Sequence, residues 1–123
     1  MIKQKIEDLA KEKQGLEIPK PQAKGDFRIK GLGIRRGEPA LIYTIPSHTG
    51  KKPYQKGIAF SEFEKAFAEM KKSGLFTKSW FDRHLPGCSK EGSCNFTSMG
   101  GIFQLLGVAQ YSGRGEYKLR DRS

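Results

Sequence analysis

The sequence predicts an α+β domain made of an N-terminal helical arm, a basic β-hairpin and a three-helix core closed by a C-terminal β-hairpin. Three observations carry that expectation. Apolar residues recur at helical spacing in the first sixteen positions and again between Phe63 and Leu106. They alternate with polar ones in Phe27–Lys30 and around Ala109–Leu119, as half-buried strands do, while Ala40 to Ile45 is an apolar, β-rich run. Glycine and proline punctuate these stretches at Gly15, Pro19, Gly37-Glu38-Pro39, Gly74, Pro86-Gly87 and Gly113-Arg114-Gly115, where turns and helix ends are expected.

A chain of 123 residues fits one domain of ordinary size. The expected division places an arm and linker in residues 1–24 and a single α+β domain in 25–123. Eight Phe, four Tyr and one Trp supply large buried areas where aliphatic content is modest. In the arm, Ile2 to Gln14 reads as a helix whose Ile2, Ile6 and Leu9, with Leu16 beyond, share one stripe interrupted by Lys13. Two uses fit that stripe: packing on the arm's own domain, or pairing two copies as a homodimer. Gly15 ends the helix. The prolines at 19 and 21 bias their predecessors away from helix, so Ile18 to Gly25 reads as an extended linker.

Phe27-Arg28-Ile29-Lys30 alternates apolar and basic residues, which puts Arg28 and Lys30 on one outer face of a strand. Arg36-Gly37-Glu38-Pro39 makes a turn, and Ala40 to Ile45 the returning strand. Pro46 to Gly57 reads as a loop rich in anion-binding groups, namely His48, Lys51, Lys52, Tyr54 and Lys56. Ile58-Ala59-Phe60 suggests a short third strand.

Ser61 and Glu64 have the spacing of a capping box, followed by Phe63, Ala66, Phe67 and Met70 at helical intervals and Gly74 as the stop. Thr77 caps a second helix running from Lys78 to Leu85, where Pro86-Gly87 ends it. A loop from Cys88 to Cys94 leads to Asn95 as the cap of a third helix, which carries Phe96, Met99, Ile102, Phe103 and Leu106. Val108 to Arg120 is a hairpin with Gly113-Arg114-Gly115 at its turn, and Ala109, Tyr111, Tyr117 and Leu119 share the buried parity.

Three short helices followed by a hairpin, from Ser61 to Arg120, resemble a winged-helix module. The run Ile102-Phe103-Gln104-Leu105-Leu106-Gly107, then Tyr111, a glycine-bearing turn and Tyr117, is similar to the third helix and wing of many bacterial examples. The resemblance implies DNA binding with the third helix in the major groove. This sequence departs from it there: Thr97 to Leu106 holds no charged side chain and only Gln104 as a long polar one, so that helix is expected to be buried or paired with protein. The chain as a whole also resembles small orphan products of bacterial mobile gene cassettes.

The net charge of +10 favours anionic partners, nucleic acid first. Residues 25–60 carry half of that excess, with seven basic residues against two acidic. The expected footprint is therefore Arg28, Lys30, Arg35, Arg36, Lys51, Lys52 and Lys56, with Tyr54 as a stacking platform and Arg114, Lys118 and Arg120 as a second patch. The expected function is non-catalytic binding of nucleic acid through backbone phosphates. A protein-interaction module is the alternative, and an enzyme acting on a phosphorylated substrate comes third.

Catalytic and metal chemistry have little support. His84, Cys88 and Cys94 have the spacing H-x3-C-x5-C, unlike paired structural zinc ligands, and no fourth ligand follows. The two cysteines make no disulfide framework. Glu69-Met70-Lys71 and Glu116-Tyr117-Lys118 match the short acid-x-Lys element of nuclease sites without a partner acid to hold a metal. His48 with Lys51 and Tyr54 is what a basic loop yields without catalysis. No serine stands in a nucleophile elbow, and no glycines have phosphate-loop spacing. No cofactor is expected. The charged N-terminus is unlike a signal peptide, and no apolar run approaches the ~20 residues of a membrane span, so cytoplasmic residence is expected.

Overall fold

A computed structural model describes residues 2–21, 26–46 and 53–120. In chain order these form α1 (Ile2–Glu12), β1 (Arg28–Arg35), β2 (Glu38–Ile45), β3 (Tyr54–Ala59), α2 (Phe60–Ser73), β4 (Leu75–Thr77), α3 (Lys78–His84), α4 (Pro86–Glu91), α5 (Cys94–Leu105), β5 (Ala109–Gly113) and β6 (Glu116–Leu119). The class is α+β, with two three-stranded antiparallel sheets ordered β1-β2-β3 and β4-β6-β5.

The N-terminal helix lies on its own domain. Ile6 and Ala10 are fully buried and Leu9 nearly so, within the same apolar cluster as Phe63, Phe103 and Tyr117. Leu16 lies beyond the helix and is exposed, so the expected four-residue stripe does not form a continuous seam. The segment after α1 is not a free linker at its start. Gly15 N–H donates to Ile29 O, Ile29 N–H to Leu16 O, and Ile18 N–H to Phe27 O. Those bonds lay residues 15–18 antiparallel to the start of β1 and bury Ile18.

The first hairpin forms as expected, with Arg28 and Lys30 outward and Ile29 inward. Its two-residue turn places Arg36 at φ 52° and Gly37 at φ 76°, the backbone a tight hairpin needs and glycine adopts without strain. The third strand is longer than the sequence suggests. It begins at Tyr54, so Tyr54 and Lys56 belong to the sheet and not to a loop, paired with Ile45 and Tyr43.

Strand β3 runs directly into α2, which starts one residue before Ser61. The N-cap is Ala59, whose N–H donates to Glu62 Oε1 at 2.8 Å. The acid of the cap is thus Glu62 rather than Glu64, because the strand delivers the chain into the helix early. Gly74 ends α2 with φ 86°, as expected. Thr77 caps α3, its hydroxyl accepting from Trp80 N–H at 3.2 Å. Two elements escape the sequence pattern. β4 is only three residues long, and Pro86 opens α4 instead of merely ending α3, since proline at a first helical position loses no hydrogen bond.

The core centres on Phe76 of β4, whose ring meets those of Trp80, Phe81, Phe96, Phe103 and Tyr117 at centroid distances of 4.8–6.3 Å. Helix α5 crosses this core apolar on all sides, and every residue from Asn95 to Phe103 except Thr97 is buried. Asn95 sits inside the helix, not at its cap.

Candidate functional site

The structure separates the expected cationic footprint into bound and open side chains. Arg36 is clamped between two carboxylates: Nε and Nη2 donate to Glu62 at 2.8 and 2.7 Å, and Nη1 donates to Glu91 at 2.8 Å. Its Nη2 also donates to Gly57 O. Arg35 Nε donates to the other oxygen of Glu91 at 3.1 Å, and Lys56 Nζ donates to the Glu91 carbonyl at 2.8 Å. Arg28 is held by Gly15 O, Asp26 and Glu17. These four cations therefore tie the first sheet to α2 and α4 and to the segment that follows α1. Their partners stand up to 56 residues away in sequence, which no local pattern reveals.

Glu91 is the hub of that network. Burial pushes its pKa upward, but the hydrogen bond and charge of Arg36, the Asn95 amide and the charge of Arg35 outweigh it and hold the carboxyl below its ordinary range. Beneath it, Tyr43 O–H donates to Asn95 Oδ1, and Asn95 Nδ2 donates to Cys88 O at 2.9 Å and to Glu91 Oε1 at 3.4 Å. This chain of bonds satisfies buried polar groups that would otherwise be costly. Burial first, then the neighbouring Glu62 charge, pushes the Cys88 thiol up. Cys88 and Cys94 are free thiols. His84 stacks on Trp80 with centroids 5.1 Å apart. Among the described residues no group of three His, Cys, Asp or Glu side chains is arranged to hold a metal ion.

The remaining expected residues that the structure describes are open. Lys30 is exposed on β1, and Arg114, Lys118 and Arg120 are exposed along the second hairpin. Among the described residues none of these four makes an ion pair. Lys118 and Arg120 share one face of the hairpin by their two-residue spacing. Tyr54 is 61% exposed, so its ring is accessible as expected. Lys51 and Lys52 lie outside the described residues.

A pocket that sequence reasoning missed adjoins this hairpin. It has a volume of about 510 Å³ and is walled by Lys20, Cys94, Phe96, Thr97, Tyr111 and Arg114, among others. Lys20 reaches it from the first segment. Its Nζ donates to Thr97 Oγ1 at 2.5 Å and Ser98 Oγ at 3.1 Å and lies 4.0 Å from the Phe27 ring centroid. Burial lowers its pKa to about 8, with a smaller opposing influence from Cys94. The one sequence signal was Pro19-Lys20-Pro21, a lysine between two residues that stiffen the chain.

Helix α5 has no face left for a nucleic-acid groove along its middle. A Cβ on Gly100 would stand 2.2 Å from the Tyr117 ring, and one on Gly101 would stand 2.3 Å from Pro19 O. The hairpin and the segment around Pro19 therefore pack directly on its backbone, on two sides. No helix among the described residues is long and apolar enough to cross a membrane. Comparison with protein-family models, with curated proteins and with solved structures finds no match to this chain.

Proposed function

We propose that this chain is a non-catalytic nucleic-acid-binding protein that holds backbone phosphates mainly through its second hairpin. The observation that carries this reading is the set of open cations Arg114, Lys118 and Arg120, exposed and without ion pairs among the described residues. Lys30 and the exposed Tyr54 ring add to it from the first sheet. The winged-helix resemblance is supported in the same region. The order α2, β4, α3, α4, α5, β5, β6 puts four helices, one more than expected, ahead of the hairpin, and β4 joins the hairpin as a sheet. The buried α5 argues against reading bases with that helix, so contacts to phosphate dominate and discrimination between sequences is weak.

Binding should weaken with salt, because each phosphate contact releases counterions. Three contacts on duplex DNA correspond to a slope of log affinity against log salt of roughly −2.7. Replacing Arg114, Lys118 and Arg120 with Gln should flatten the slope toward zero for every sequence alike. Arg35→Gln should leave the slope unchanged, because its guanidinium serves Glu91. An absence of binding to duplex and single strands at low salt, or a slope indifferent to the triple change, overturns the proposal.

A second reading has its own observation. Leu32 and Ile34 on β1 are 49% and 62% exposed, side by side on an edge strand. Such an edge suits a protein partner, whose binding would be insensitive to salt and lost on replacing both residues with Ser.

A further inference from the structure

We propose that the pocket between the β5–β6 turn and the head of α5 receives one phosphorylated nucleotide unit, its phosphate against Lys20 and Arg114 and its base against Tyr111. This rests on the nucleic-acid reading and assigns that surface a specific subsite. The cavity, at about 510 Å³, falls within the usual range of small-ligand sites, roughly 300–1,000 Å³.

Its charge is uncompensated. Lys20 is mostly withdrawn from water, yet its contacts among the described residues are two hydroxyls and an aromatic ring, with no carboxylate within ion-pair distance. An ammonium has three N–H donors, and the hydroxyls of Thr97 and Ser98 use two. Arg114, exposed at the turn, lines the same pocket. Lys78 also borders the pocket, but Asp82 takes its ammonium with both oxygens at 2.7 and 2.8 Å, so it contributes little. The first turn of α5, which lines the pocket through Cys94 and Phe96, contains no acidic residue. A site with two cations and no internal anion favours a ligand that brings one.

Its other wall is aromatic. Tyr111 is 40% exposed and steadied edge-on by Tyr117 at a centroid distance of 5.6 Å, while Phe96 lies deeper. Sequence parity assigned Tyr111 to the buried side with Tyr117. The register does pair it directly with Tyr117, but its own position on the outer strand β5 leaves the ring exposed, where it lines the pocket. An exposed ring stacks any base through its π-face. Phosphate donors beside a stacking surface suit a nucleotide better than inorganic phosphate alone. The nucleotide can be free or the 5′-phosphorylated end of a strand.

The test compares 5′-phosphorylated with 5′-hydroxyl single-stranded oligonucleotides by anisotropy, and AMP with adenosine by calorimetry, on the full chain. The 5′-phosphate should raise affinity about tenfold, and AMP should bind where adenosine does not. Lys20→Met, which keeps the aliphatic stem, should erase the phosphate preference, bringing the ratio of 5′-phosphorylated to 5′-hydroxyl affinity to about one. Tyr111→Ala, at an exposed position, should weaken AMP binding even if Lys20→Met fails to fold. Strands that bind with no phosphate preference, together with silent AMP titrations, overturn the pocket alone and leave the hairpin reading in place. AMP binding without any strand binding upholds the pocket and sinks the nucleic-acid reading. Equal binding of AMP and adenosine removes the phosphate from the proposal and so overturns it.

Discussion

At Glu91 one carboxylate receives Arg35 and Arg36, while its own carbonyl receives Lys56. The carboxyl is below its ordinary 4.5 in the folded chain. A depressed acid contributes stability that is complete above the unfolded value and lost as pH falls through the folded one. Glu91→Gln keeps the shape but leaves two partly buried guanidiniums short of an anion, at a cost of about 2 kcal/mol near pH 7. Urea denaturation should show that gap at pH 7 and show it narrowed at pH 3, below the ordinary carboxyl value, where the unfolded wild-type chain takes up the proton and draws the stabilisation down. An equal gap at both values would mean that the charge of Glu91 does not matter. The sequence showed these basic residues as a cluster but not their pairing, because the acids that hold Arg35 and Arg36 come from α2 and α4.

Helix α5 shows how packing can override propensity at the scale of an element. In an exposed helix, Gly→Ala stabilises by about 1 kcal/mol. At Gly101 the added methyl would meet Pro19 O at 2.3 Å and Ile18 Cγ2 at 2.6 Å. We expect Gly101→Ala to destabilise the fold by roughly 1–3 kcal/mol, the usual cost of overpacking. A thermal melt decides the matter by sign. A raised midpoint would show that the 18–19 segment does not seat on this helix. The helix itself was legible from Phe96, Met99, Ile102 and Phe103, and the sparse polar content of Thr97–Leu106 correctly signalled burial. Its cap was not legible, because Asn95 has the chemistry of a cap but is drawn inside to meet Tyr43.

Across the whole molecule a single apolar cluster runs from Ile6 and Leu9 to Tyr117, joining α1 to the second sheet. An arm that served only to pair subunits would leave stability untouched when its stripe is trimmed. Ile6 is fully buried, so Ile6→Ala should cost about 2–4 kcal/mol in chemical denaturation at unchanged mass in light scattering. A lower mass with an unmoved midpoint would restore the dimer through Ile2, Ile6, Leu9 and Leu16. The +10 charge belongs to this scale as well: ion pairs leave the net excess unchanged, and the open cations of the second hairpin are one part of it.

By itself the sequence determined what depends on neighbours a few residues apart. The periods of 3.6 and 2 placed most helices and strands, Thr77 and Gly74 marked helix ends, and Arg36-Gly37 made the first turn. Short elements were lost because three residues of β4 or six of α4 span too little chain to show a period. Which lysines and arginines remain available was decided only by tertiary structure. An ion pair such as Arg36–Glu62 or Arg35–Glu91 depends on distances that folding creates, not on spacing along the chain. The pocket at Lys20 arose the same way, from a proline-stiffened segment, a helix start and a hairpin turn that are neighbours only once the core has closed.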